Sequence, residues 1–159
     1  MDSITTFEKL YEYLQENNNT LDQVDVEEYT PLLYALDNED PNMVMKMLDL
    51  GASTCRLDHV HPFEGTALAM ACKRQMWYVA MRMLEFGSQA CNLHSPDDDG
   101  DTAFAVTCAL GEKDVAMRML EFGVKACNVH HENVNGETAL DYALMNGMDY
   151  IVTKLEAQT

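Results

Sequence analysis

A unit of 36 residues repeats through this 159-residue chain, and this period restricts the folds that the chain can adopt. Threonines recur at positions 30, 66, 102 and 138, where they begin the segments TPLLYAL, TALAMAC, TAFAVTC and TALDYAL. The segment VAMRMLEFG occurs unchanged at 79–87 and 115–123, and 18 of 36 positions are identical between 66–101 and 102–137. Repetition at this period is typical of proteins in which similar helical units stack side by side.

Each unit reads as two short helices followed by a long polar connection. The threonine is a favourable N-cap for a first helix of about nine residues. Apolar residues at helical spacing then share one face of a second helix, as Val79, Ala80, Met83 and Leu84 do. This second helix is expected to end at a left-handed glycine, which is Gly51, Gly87 or Gly123.

These segments resemble the ankyrin repeat, whose first helix reads T-P-L-H-x-A-A and whose second ends L-L-x-x-G, before a loop returns through D-G to the next threonine. The resemblance implies an all-α repeat solenoid, a stack of antiparallel helix pairs with extended finger loops. It implies one domain over 1–159, made of an N-terminal half-repeat cap (1–29), three repeats (30–65, 66–101 and 102–137) and a C-terminal capping repeat (138–159).

The copies depart from that pattern in three ways. Only the first keeps the signature proline, Pro31, and none keeps the histidine. The period is 36 rather than the usual 33. Each internal connection spans 15 positions from glycine to threonine, against 12 from Asn18 to Thr30. We therefore expect lengthened fingers on an otherwise ordinary helical stack.

The terminal units should present a polar outer side, because nothing stacks beyond them. In the N-terminal cap, one apolar stripe is opposed by glutamates; the stripe comprises Phe7, Leu10, Tyr11 and Leu14. In the C-terminal cap, the apolar residues Ile151, Val152 and Leu155 alternate with polar ones.

Composition narrows the possible partners and compartments. The chain has 27 Asp and Glu against 10 Lys and Arg, a formal charge of −17, which disfavours binding to nucleic acid or to an anionic membrane. The first residues lack the apolar core of a signal peptide, and the five cysteines form no CxxC pair. We therefore expect a cytoplasmic protein with reduced thiols, although the nucleus also fits these features.

No motif indicates catalysis, so we expect no enzyme activity, no catalytic residue, no cofactor and no metal. Two C-x-x-H pairs, Cys91/His94 and Cys127/His130, have donors that zinc accepts. They occupy equivalent places in successive repeats, however, so stacking should hold them about 8–10 Å apart. The cysteines are better interpreted as small buried apolar residues.

We expect the function to be binding of another protein, one with a basic or mixed surface, along a concave groove and the acidic finger loops. The groove should be lined by residues four, seven and eight positions after each threonine. The expected contact residues in the groove are Tyr34, Asp37, Met70, Lys73, Arg74, Val106, Tyr142 and Met145. On the finger they are Asp97, Asp98 and Asp99.

Three alternatives remain open from the residues alone. The charge would also suit an acidic decoy that mimics nucleic acid and occupies basic proteins. The histidines of the fingers would suit a metal-binding protein. An outer ridge could support self-association, since polarizable methionine adapts to many surfaces; the ridge would comprise Met45, Met81 and Met117, extended by Trp77 and Tyr78.

Overall fold

The computed structural model describes residues 21–158, which form a mostly helical fold. The N-terminal apolar stripe predicted at 7–14 lies outside these residues. Within 21–158 there are nine helices and one small antiparallel sheet, in the order α1 (Pro31–Asp37), α2 (Pro41–Asp49), β1 (Val60–His61), β2 (Gly65–Thr66), α3 (Ala67–Lys73), α4 (Trp77–Leu84), α5 (Ala103–Ala109), α6 (Lys113–Leu120), α7 (Val124–Cys127), α8 (Ala139–Met145) and α9 (Asp149–Glu156).

The repeated threonines cap the first helix of each copy, which confirms the prediction from their spacing. Each hydroxyl accepts the backbone N–H three residues ahead, at donor–acceptor distances of 3.0–3.4 Å. These helices have seven residues, fewer than expected. They stop early because the residue nine positions after each threonine adopts a positive φ; these residues are Glu39, Gln75, Gly111 and Gly147.

The helices pack in the order of the copies. Helix α1 contacts α3, α3 contacts α5, and α5 contacts α8. The second helices follow the same order, from α2 to α4, α6 and α9. Side chains between the two rows are fully buried, among them Leu32, Leu68, Phe104 and Met83. Burial of this apolar surface between successive units is the main favourable term in the stability of such an arrangement.

A further helical turn follows the second helix of each internal copy and accounts for part of the long connection. Cys127 N–H donates to the Gly123 carbonyl at 3.2 Å, and the equivalent bonds at Cys55 and Cys91 measure 3.3 Å. Gly123 has φ 95° and ψ 158°. The positive φ agrees with the prediction, but the left-handed helical conformation expected there is not the one adopted. This backbone region is essentially restricted to glycine.

The last helix closes the described part of the chain much as the sequence predicts. Helix α9 buries Ile151 and Leu155, while Thr153, Lys154 and Glu156 are exposed. Leu144 of α8 is the exception among equivalent positions of the first helices. It is 55% exposed, whereas the equivalent Leu36, Cys72 and Cys108 are fully buried.

Candidate binding surface

The residues four positions after each threonine are less available than the sequence predicts. Met70 and Val106 are only 1% and 8% exposed, because α3 and α5 each pack between two neighbouring helices. Contrary to expectation, these two side chains offer almost no surface to a partner. Tyr34 and Tyr142 are half-buried, and both hydroxyls make hydrogen bonds within the chain.

The charged residues predicted to line the groove form ion pairs within the chain. Arg74 bridges two carboxylates, because its guanidinium donates to Asp37 and also lies 3.4 Å from Glu39 Oε1. Lys73 Nζ lies 2.7 Å from Asp97 Oδ2. The Arg74 pairs therefore connect two successive copies, and the Lys73 pair joins α3 to the finger at the end of the same copy. Binding a partner through these charges would require breaking existing pairs.

The prediction that Asp97 lies at an exposed finger tip is wrong. Its side chain is only 1% exposed, since it faces Lys73 and the backbone of its own loop. Asp98 and Asp99 are exposed, as expected. Of the three acidic residues predicted on this finger, only these two can reach a partner without a rearrangement.

Each finger is held by one side chain, located five residues before the threonine. We define the fingers as residues 25–30, 61–66, 97–102 and 133–138. Their first residues are Asp25, His61, Asp97 and Asn133, and each accepts backbone N–H bonds of 2.9–3.2 Å from residues two to four positions ahead. The 36-residue spacing of this series is visible in the sequence, although its role is not obvious because the residue type changes.

Neighbouring fingers are joined by hydrogen bonds to backbone carbonyls. Val134 N–H donates to the Asp99 carbonyl at 2.8 Å, and Asp98 N–H donates to the Phe63 carbonyl at 3.3 Å. At the first junction the equivalent residue is Pro62, which has no N–H. There the His61 imidazole approaches the Glu27 carbonyl at 2.9 Å instead. The fingers therefore form a connected edge along one side of the molecule.

A polar cluster links the last two fingers to helix α8. Asn133 Nδ2 donates to Tyr142 Oη at 2.7 Å and to Asp101 Oδ1 at 3.2 Å, while Tyr142 Oη donates to Glu137 Oε2 at 3.0 Å. Burial, together with the hydrogen bond to Glu137, raises the pKa of Tyr142 to about 12. Burial also raises the pKa of Asp101, and the charges of neighbouring carboxylates add to this effect. Negative charge is thus concentrated here.

An apolar patch lies beside this cluster. We use the term apolar patch for Leu144 and Met145 of α8, which are 55% and 65% exposed; Leu110, just after α5, is 44% exposed. Asn146 Nδ2 donates to the Ala109 carbonyl at 3.1 Å, and this bond brings the end of α5, where Leu110 lies, next to the end of α8. Met145 is one of the contact residues that the sequence predicts. Leu144 is exposed although its equivalents are core residues, because α8 is the last of the first helices within residues 21–158 and no further copy packs against it there.

The outer methionine ridge is less continuous than the sequence suggests. Met81 is 36% exposed and Tyr78 is 55% exposed, but Met45 and Met117 are half-buried against the core. Trp77 also packs partly against the core. Most of this ridge therefore contributes to the packing of α2, α4 and α6.

The Cys/His pairs at 91/94 and 127/130 are not brought together as one cluster of potential metal ligands. All five cysteines are buried and free, which confirms their interpretation as core residues, and burial raises the pKa of Cys72 and Cys108 to about 12. His94 and His130 are exposed whereas the thiols are buried, and the four residues are not grouped closely enough to share one metal ion. Among residues 21–158 the one clustered set of potential metal ligands is Asp97, Asp98 and Asp99, in which Asp97 already pairs with Lys73.

No family model matches the chain, and no curated protein matches it. Within residues 21–158, every helix is too short or too polar to cross a membrane.

Proposed function

We propose that this chain is an ankyrin-like solenoid that binds another protein along the surface formed by its first helices and fingers. The observation that carries the proposal is the ordered packing of α1, α3, α5 and α8, which puts equivalent positions of successive copies side by side. The 36-residue sequence period supports the same interpretation independently.

The local geometry supports binding by a preorganised surface. Threonine caps fix the start of each first helix, and hydrogen bonds of 2.8–3.3 Å join successive fingers. Side chains on such a framework lose little conformational freedom on association, so more of the contact energy contributes to affinity. We therefore expect the unbound and bound backbones to be similar.

Charge supports a basic or mixed partner surface. The fingers contain no Lys or Arg, and Lys73 and Arg74 are paired internally. The exposed finger residues include the acidic Glu27, Glu28, Asp98 and Asp99 and the apolar Val26, Phe63 and Val134. A surface of one sign accelerates association with an oppositely charged partner and disfavours an acidic one.

The acidic decoy that mimics nucleic acid is the rival that charge alone would favour. A decoy needs a regular, phosphate-like array of charges, whereas half-buried tyrosines and exposed aliphatic side chains occur on the same face here. The two functions differ in their salt dependence, since binding by charge alone falls steeply as salt rises.

Capture of partners from the source cell at low and at moderate salt would test the proposal. We expect a protein that remains bound at moderate salt, and weaker capture by Tyr34→Ala or Tyr142→Ala variants that remain folded. Tyr78→Ala is the matched control, because Tyr78 is an exposed tyrosine on the outer helix α4. Loss of every partner at moderate salt would favour the decoy, and equal capture by all variants would exclude this surface.

A further inference from the structure

The expected contact surface divides into two halves of different chemistry. In the half formed by the first copies, the charged residues form ion pairs with one another: Arg74 with Asp37, and Lys73 with Asp97. In the half formed by the last copies, the equivalent positions hold the exposed Leu110 and Met145. A partner gains more by covering exposed apolar surface than by replacing ion pairs that already exist.

The apolar patch borders carboxylates that have no ion pair within the described part of the chain. Asp141 precedes Leu144 and Met145 by three and four residues on α8, so the three side chains are neighbours on the helix surface. Tyr142 lies about one helical turn before Met145, and its hydroxyl donates a hydrogen bond to the Glu137 carboxylate. None of the ion pairs found in residues 21–158 involves Asp141, Glu137 or Asp99.

From this juxtaposition we propose that the apolar patch is the anchor point for a partner segment that presents a large apolar side chain next to Lys or Arg. This inference rests on the proposed function and specifies the partner for that surface. The apolar side chain of the partner covers Leu144 and Met145. Its cationic groups pair with Asp141, Glu137 and the exposed carboxylates of the third finger.

The charge pattern argues against a second copy of this chain as the occupant. The chain carries a net charge of −17, and the patch is bordered by acidic residues, so two copies would bring like charges together. A basic amphipathic segment meets no such repulsion. Apolar contact at the centre with charged pairs at the rim is also the usual arrangement in stable protein interfaces.

Selection of binders from a library of random displayed peptides tests this inference even though the natural partner is unidentified. We expect selected peptides to carry a large apolar residue adjacent to Lys or Arg. A Met145→Ser variant should weaken their binding about tenfold, the loss of about 1.4 kcal/mol that removal of a central contact produces. Leu144→Ser should act in the same direction. Met81→Ser is the matched control, because Met81 is an exposed methionine on the outer helix α4, and it should leave the affinity unchanged.

Several results would overturn the inference: a library that yields no binder, selected peptides without basic residues, or equal losses from Met81→Ser and Met145→Ser. A dimer in sedimentation that Met145→Ser abolishes would assign the patch to a second copy instead. If a protein captured from the source cell binds Met145→Ser as well as wild type, the proposed function stands and this anchor is wrong. Thermal melting of each variant would verify that the fold is retained.

Discussion

The His61 imidazole lies 2.9 Å from the backbone carbonyl of Glu27 through Nε2, at the one described finger junction where proline removes the usual N–H donor. Nδ1 of the same ring accepts the Phe63 and Glu64 N–H groups at 3.2 and 3.0 Å. Because Nδ1 is an acceptor, Nε2 must carry the proton and donate to Glu27. One buried side chain therefore shapes the second finger and attaches it to the first.

His61→Ala should destabilise the protein by about 1–3 kcal/mol, because it leaves a carbonyl and two N–H groups without their partner. Pro62→Ala in the His61→Ala background should recover about 0.5–1.5 kcal/mol, since the restored N–H can donate as Asp98 does. Urea unfolding measures both effects. If Pro62→Ala gives no recovery, the importance of His61 lies instead in its packing against Tyr29, whose ring centroid is 4.6 Å away.

The Lys73–Asp97 pair has a natural comparison in the next copy, where Ala109 and Asn133 occupy the equivalent positions. Lys73→Ala leaves the Asp97 carboxylate buried without its cation and should cost about 1–3 kcal/mol, reduced from the fully buried case because Lys73 is 32% exposed. The double variant Lys73→Ala/Asp97→Asn reproduces the neighbouring copy and should be more stable than Lys73→Ala alone. A double-mutant cycle by urea unfolding checks this, and additive effects would contradict the pairing.

Alanine substitutions at two equivalent glycines would distinguish the cost of backbone strain from the cost of a steric clash. Gly100 and Gly136 both have positive φ, at 85° and 77°. A Cβ on Gly100 would come within 2.7 Å of Asn133 Cα, whereas a Cβ on Gly136 meets no atom within 4 Å. Gly136→Ala should therefore cost about 1–2 kcal/mol from strain alone. Gly100→Ala should cost about 1–3 kcal/mol more, because the fourth finger must move. Equal losses in thermal or urea unfolding would exclude the close approach of the two fingers.

The buried thiols predict a loss of stability in alkali. Burial raises the pKa of Cys72 and Cys108 from 9.0 to about 12, so the folded state resists ionisation that the unfolded chain undergoes. Their contribution is fully present below about pH 9 and is lost as pH rises from there toward about 12. Cys108→Ala should make this decline shallower. Urea unfolding between about pH 8 and 11 checks the slope, and slow modification by a disulfide reagent in the native state would verify the burial.

The sequence predicts the elements of this fold better than it predicts the surface. The period identifies the capping threonines, the apolar faces of the second helices and the buried cysteines, because each depends on a local pattern that recurs. The burial of Asp97 could not be predicted in this way, since it depends on Lys73 at the end of α3, 24 residues earlier. The acidic run alone indicates an exposed loop.

The prediction that Met70 and Val106 can contact a partner is wrong for the same reason, because their burial depends on residues far away in the sequence. Helical spacing places both residues at predicted contact positions, but their exposure depends on how closely α3 and α5 approach the neighbouring helices. Leu110 shows the converse case, because its equivalents are polar and it is nevertheless an exposed apolar residue; these equivalents are Asn38, Arg74 and Asn146. Surface properties thus depend on differences between copies rather than on the pattern they share.

The hydrogen bonds between fingers have a consequence for the dynamics of the chain. Each of these bonds joins adjacent fingers, so local opening at one end leaves the bonds at the other end intact. Amide hydrogen exchange should consequently be graded, slowest in the central helices α3 and α5 and faster toward either terminus. A ligand held by the last two fingers would slow exchange there and leave the first copies unchanged.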